Sequence, residues 1–203
     1  MSKPLRNPPV YYMVAQVKFN SLLKLKEFLP DIQEGLGKLG YPGYRSETVL
    51  AFHFGPQGQE GPVRQDPVER FIFDDIEQTQ NFVLGNDALA FQSTRYGHFE
   101  QFLDTFLNGL GIVHKTASLA FTERVGLRYL DRVVARPDET LGEYLTAEVL
   151  GLGAKLDAHN VTSYAETRAE RAGVRLVSRV VIQTGPVGFP ADIGPVPLIV
   201  EPR

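Results

Sequence analysis

Arg124, Arg128 and Arg132 recur at every fourth residue within the run Glu123-Arg124-Val125-Gly126-Leu127-Arg128-Tyr129-Leu130-Asp131-Arg132. In an extended strand side chains alternate between faces, so this spacing puts three guanidinium groups on one face, each pair of neighbours roughly 13 Å apart along the strand. Gly126 shares that face and opens space between the first two. Phe121, Glu123, Val125, Leu127, Tyr129, Asp131 and Val133 take the other. Arg171, Arg175 and Arg179 repeat the parity around Gly173. If the two segments are neighbours in a sheet, six arginines line one face. A guanidinium fork binds phosphate or carboxylate through two parallel hydrogen bonds, which lysine cannot do as well. The chemistry in prospect is therefore anion or partner binding, and Tyr129 joins the six arginines as a candidate. The competing reading is a solvent-facing ladder of cross-strand ion pairs with Glu166, Glu170, Asp74 and Glu77. The 24 acidic residues are enough to pair every arginine, which favours the ladder.

Other chemistry is thinner. Asp74, Asp75 and Glu77 form a carboxylate cluster near a strand that could hold Mg²⁺ or move protons, but they serve better as acidic partners for the arginines. His53, His98, His114 and His159 are dispersed and none has a ligand-spaced partner, so no metal and no cofactor is expected. Gly35-Leu36-Gly37-Lys38-Leu39-Gly40 matches the dinucleotide fingerprint literally. That motif must open a helix so that the helix N-terminus meets the pyrophosphate, and here it closes one. With no cysteine, phosphate-loop lysine, nucleophile elbow or zinc-protease motif, the reading leans away from an enzyme.

The 203 residues carry 14 arginines against 7 lysines and a net charge of −3, with no cysteine and no tryptophan. This excludes a disulfide-stapled secreted module and a bulk polycation that coats nucleic acid. No apolar run reaches 18 residues, and Val10 to Phe19 is too short and too alternating for a signal or a span. The expectation is a cytoplasmic protein without a membrane segment, in which the sequon Asn160-Val161-Thr162 has no meaning.

The elements that must position these residues follow from periodicity. Val10 to Phe19 alternates as a strand, with Val10, Tyr12, Val14, Gln16 and Lys18 on one face. Asn20 or Ser21 then caps a helix carrying Leu22, Leu25, Leu29, Ile32, Leu36 and Leu39, which Pro30 should kink or split. Thr48 to Phe54 reads as a strand. Gly55 to Pro67 is a polar loop and the segment expected to move most. Val68 to Gln80 and Asn81 to Tyr96 read as long strands, with a hairpin signal at Gly85-Asn86-Asp87. A helix from His98 to Lys115, a strand from Leu119 to Val134 and a helix from Leu141 to Leu152 follow. A hairpin of Val161 to Arg168 and Val174 to Gln183 comes next. The apolar stub Leu198-Ile199-Val200 either pairs with a sheet edge or marks a chain shorter than its relatives. Together these predict an α+β fold: a mostly antiparallel sheet with two to three helices packed on one face and ferredoxin-like elements. One domain over 1–203 is expected, the alternative being a division into 1–117 and 118–203.

Asn7-Pro8-Pro9-Val10 running into a strand, Arg70-Phe71-x-Phe73-x-Asp75, Tyr96-x-x-Phe99-x-x-Phe102 and above all Arg124 to Arg132 carry a resemblance. The chain resembles a sporadically distributed bacterial family whose hallmark strand reads R-x-G-L-R-Y-[IL]-[ND]-R, over about residues 7 to 185. Asp131 stands where many relatives have Asn. The resemblance implies an accessory gene of bacteria or phage, scattered as mobile-element and defence genes are. It supplies no activity and no catalytic residues.

Three functions compete. The first is a non-catalytic interaction protein whose arginine-lined sheet takes an acidic protein partner. The second is an RNA- or DNA-binding ferredoxin-like module using Tyr11, Tyr12, Tyr129 and Phe121 for stacking, although the net charge argues against a large phosphate footprint. The third is an enzyme or sensor for a small phosphorylated ligand held by Arg124 and Arg128. Association into a homo-oligomer is compatible with each.

Overall fold

The computed structural model describes residues 8–53, 64–156 and 161–185. The chain divides into two compact units, the first closing at Asp131 and the second opening at Arg132. In the first unit the order is β1 (Val10–Phe19), α1 (Leu25–Lys38), β2 (Arg45–His53), β3 (Arg64–Asp74), β4 (Gln80–Leu84), β5 (Ala88–Ser93), α2 (Phe99–Ala117) and β6 (Thr122–Asp131). These strands form one antiparallel sheet in the order β2-β3-β4-β5-β1-β6. The fold is α+β, as the alternation and the helical stripes require. Because β1 is antiparallel to both its neighbours, β5 and β6 run parallel with β1 between them, joined through α2. That split β-α-β arrangement is the ferredoxin-like element. Strand β6 goes with the first unit because it pairs with β1 along nearly its whole length.

One face of the sheet is roofed by α1 and α2. Met13, Ala15, Val17 and Phe19 of β1 join Phe71, Phe73, Phe82, Leu84, Leu89 and Phe91 from the neighbouring strands in a buried cluster. Leu25, Ile32 and Leu36 of α1 and Phe102, Phe106 and Val113 of α2 complete it. The alternation of β1 therefore held from Tyr12 onward. A register shift between Val10 and Tyr12 places Val10 opposite Asp131 and in the core cluster, away from the face it was expected to share with Tyr12.

Helix α1 runs unbroken through Pro30. A proline in a helix interior costs about 3 kcal/mol, whereas burying each of Leu25, Ile32 and Leu36 contributes roughly 1.5–3 kcal/mol, so packing on both sides of the proline prevails. Neither Asn20 nor Ser21 caps it. Lys24 is the N-cap, without a side-chain bond, and the Asn20 Oδ1 instead accepts from the Ala120 N–H at 2.8 Å, tying the start of β6 to the end of β1. At the other end Gly40 has φ +107°, the Gly40 N–H donates to Gly37 O and the Tyr41 N–H to Leu36 O at 2.9 Å. This is a left-handed glycine cap, and the nucleotide-like glycine motif is a helix terminus.

The two long strands foreseen after residue 68 are interrupted. Asp75 accepts hydrogen bonds from the Thr79 N–H (2.8 Å), the Thr79 hydroxyl (2.9 Å) and the Gln80 N–H (3.0 Å), which folds residues 75–79 into a turn. Arg64 to Pro67 belongs to β3 and pairs with β2. Pro67 is tolerated because β4 pairs only with residues 71–74, leaving that stretch one neighbour. The rest of the expected loop, 55–63, lies outside the described residues, as do Phe54 at the end of the expected strand and the stub at 198–200.

The second unit contains α3 (Ala147–Leu150), β7 (Ser163–Arg171) and β8 (Val174–Ile182). The single helix expected over Leu141 to Leu152 is replaced by a 3-10 turn at Leu141–Glu143, the one-turn α3 and a second 3-10 turn at Gly151–Lys155. A capping box between Thr140 and Glu143 closes the first turn, and Gly151 at φ +60° stops α3. Among the described residues no helix is long and apolar enough to cross a membrane.

Candidate protein-binding strip

Strand β6 is the last in the sheet order, with β1 as its only neighbour among the described strands. Its register sets Arg124 opposite Lys18, Gly126 opposite Gln16 and Arg128 opposite Val14. Cross-strand partners share a face, so Arg124, Gly126 and Arg128 lie on the face of the sheet away from the helices. A Cβ built on Gly126 meets nothing within 4 Å, as the open spacing predicts. Val125, Leu127 and Tyr129 point the opposite way. Strand pairing ends at Asp131, so Arg132 lies beyond the ladder and opens the second unit.

Lysine 18, which sequence reasoning left out, is the third cation of this strip. Its Nζ lies 3.0 Å from the Asp87 carboxylate and 4.0 Å from Glu123. The hydrogen bond and charge of Asp87 hold its pKa above the usual lysine value, while Arg124 acts against this as a neighbouring like charge. Arg124 itself is exposed and has no salt bridge among the described residues. Arg128 is half-buried, and its guanidinium acts on the Tyr12 phenol across the ladder. Burial outweighs that influence and pushes Tyr12 up to about 12.

The remaining candidates do not join this strip. Tyr129 stacks edge-on against Tyr96 on the helix side, ring centroids 6.0 Å apart. Burial, then Tyr96 and Asp131, push its phenol up to about 12. Asp131 is also pushed up by burial. Strands β7 and β8 form a separate two-stranded sheet, so they do not extend β6 into a six-arginine face. Arg171 also leaves the parity of Arg175 and Arg179. The loop Ala172-Gly173, with φ of 51° and 78°, is two residues long and pairs Arg171 with Val174. A two-residue loop reverses the odd–even relation between its strands, so Arg171 faces away from the other two.

On the face that Arg175 and Arg179 share, the arginines have carboxylate partners in register. Glu166 takes the Arg179 Nε at 2.7 Å, the Arg168 Nε at 2.6 Å and the Tyr164 hydroxyl at 3.0 Å, and Glu170 lies 3.7 Å from Arg175. The hydrogen bonds from Arg179, Arg168 and Tyr164 hold Glu166 down at about 2. Arg179→Ala is therefore expected to raise the Glu166 carboxyl titration toward its ordinary 4.5, read from its side-chain ¹³C shift. Because the folded value is depressed, the pairing contributes fully above the unfolded carboxyl range and is lost as pH falls toward 2. An unchanged midpoint would contradict the pairing.

The acidic cluster partners other groups. Asp74 is buried, pairs with Arg45, and accepts from Asn81 Nδ2 at 3.1 Å. Asp75 holds the turn, and Glu77 pairs with Arg95 at 2.7 Å. The three carboxylates are thus spent on separate neighbours, and among the described residues no group of three or more His, Asp or Glu is placed to hold a metal. The second unit has an open depression of about 530 Å³ lined by Leu141, Leu145, Leu150, Leu156, Val161 and Ile182, with no arginine in its wall. No family model matches the sequence, and no curated protein matches it either.

Proposed function

We propose that the first unit is a non-catalytic binding module that takes an acidic protein partner on the strip of Lys18, Arg124 and Arg128. The observation that carries this reading is the contrast in pairing. Arg175 and Arg179 have carboxylates opposite them in register, whereas Arg124 stands opposite another cation and has no salt bridge among the described residues. Asp87 and Glu123 already balance Lys18, so the charge left for an incoming carboxylate is that of Arg124. A nucleic-acid reading needs exposed aromatic rings on the arginine face. Tyr12 has the right side but is 1 % exposed, while Tyr129 belongs to the other face. The small phosphorylated ligand gains no support from the depression in the second unit, whose wall carries no arginine. The hallmark-like strand supports reading the protein as part of the bacterial or phage accessory genome.

The test is fluorescence anisotropy with labelled poly-L-glutamate, set against a single-stranded oligonucleotide of matched length and against thermal shift with ATP. The full chain should bind poly-glutamate with an affinity that falls as salt rises. The double variant Arg124→Ala, Arg128→Ala should bind about tenfold or more weakly. Binding of the oligonucleotide or ATP without binding of poly-glutamate would overturn the reading.

A further inference from the structure

Strand β6 is an edge as well as a cationic strip. Its outer backbone has no partner among the described strands, and its first half is exposed on both faces. On the helix side Val125 is 70 % exposed and Leu127 48 %, so the helices do not roof this end of the sheet. On the other side stand Arg124 and Arg128 with open space over Gly126 between them. An unpaired edge offers main-chain hydrogen bonds to any extended segment, and alternate side chains of that segment then decide which one is taken.

From this juxtaposition we infer that β6 receives an extended segment of the acidic partner as a seventh strand. The inference rests on the function proposed above and specifies how its partner binds. Residues opposite one another share a face, so the incoming strand meets Arg124, Val125, Gly126, Leu127 and Arg128 in turn. Carboxylates belong opposite the two arginines, apolar side chains beside Val125 and Leu127, and the position over Gly126 takes any residue. The recognised pattern is acid–apolar–any–apolar–acid. It reads the same in both directions, so it serves a parallel or an antiparallel strand.

A second copy of β6 is a poorer occupant. In antiparallel self-pairing centred on Gly126, Arg124 meets Arg128; centred on Leu127, Glu123 meets Asp131. Both registers put like charges directly opposite each other. A segment with carboxylates at the ends of a five-residue apolar alternation meets no such clash and sets a carboxylate opposite Arg124, which has no salt bridge among the described residues.

The experiment uses the full chain and a fluorescein-labelled peptide carrying Glu-Val-Ser-Val-Glu. Its controls are a reordered peptide, Glu-Glu-Ser-Val-Val, and the original peptide N-methylated at alternate residues, in both phases. The patterned peptide should bind at least tenfold more tightly than the reordered one. One of the two methylation phases should cost tenfold or more, because it removes the ladder donors while keeping every side chain. Amides within 124–128 should gain exchange protection. If poly-glutamate binds but the three peptides are equivalent or silent, strand addition falls and the cationic strip stands. If poly-glutamate is also ignored, both fall. A chain that sediments as a dimer and becomes monomeric with Val125→Lys has its own copy on the edge, which overturns the inference.

Discussion

Phe82→Ala should lower the stability of the first unit by about 3–5 kcal/mol in chemical denaturation. Phe82 is fully buried at the centre of the sheet, stacked on Phe91 with ring centroids 4.6 Å apart and met edge-on by Tyr41 at 4.8 Å. Its ring also fixes how closely α2 can approach. A Cβ added at Gly109 would lie 2.2 Å from Phe82 Cε1 and 2.4 Å from Cζ, inside any tolerable contact. With Phe91 and Tyr41 against it, the ring has nowhere to move. Gly109→Ala in the native background should therefore cost about 1–3 kcal/mol from overpacking, although alanine is the better helix former by up to about 1 kcal/mol. In the Phe82→Ala background the clash is gone and the new methyl fills part of the cavity, so Gly109→Ala should become stabilising. That reversal of sign is the sharp outcome: purely additive effects would show that α2 does not rest on this ring.

The same contrast between local pattern and packed context decides what could be read from the chain. Alternation assigned Arg124 and Arg128 to one face and Val125, Leu127 and Tyr129 to the other, and the register against β1 agrees. Alternation cannot say which face the helices roof, or that β6 is the last of the described strands in the sheet. These depend on strand order, which is set by contacts between segments as far apart as Val10 and Asp131. The apolar side chains at 125 and 127 therefore look like core residues, yet among the described strands β6 has no neighbour on its outer side. The hairpin failed for a local reason. Counting odd and even positions from Arg171 to Arg179 runs through Ala172-Gly173, and a two-residue turn shifts the count by one. Turn length, more than residue type, decided that assignment. The helix expected over Leu141 to Leu152 failed where Gly142 and Gly151 interrupt it, since each glycine costs helix about 1 kcal/mol.

Asp74→Ala is the second large effect, and it separates structure from function among the acidic residues. Asp74, Asn81, Gln92, Val14 and Arg128 follow one another across β3, β4, β5, β1 and β6 as successive cross-strand partners. The row thus carries a carboxylate at one end and a strip arginine at the other. Asn81 is fully buried, donates its Nδ2 to Asp74, and has no partner for its Oδ1. Removing the carboxylate leaves this amide short of partners at both ends and withdraws a charge partner from Arg45, which is partly exposed. A fully buried broken pair would cost about 3–5 kcal/mol, and the exposure of Arg45 brings the expected loss to about 2–3 kcal/mol. Asn81→Val alone should be close to neutral, because it trades one hydrogen bond for an orphaned oxygen. In the Asp74→Ala background the same change should recover most of the loss, since no unpaired amide then remains. Binding supplies the second readout. Asp74→Asn, which keeps an acceptor for Asn81, should leave the affinity for the Glu-Val-Ser-Val-Glu peptide unchanged. Asp74 lies four strands from Arg128, or roughly 19 Å at normal strand spacing, beyond the screening length of physiological salt. A loss of binding in that variant would make the carboxylate part of the site; unchanged binding with lowered stability would make it the anchor of β3 and β4.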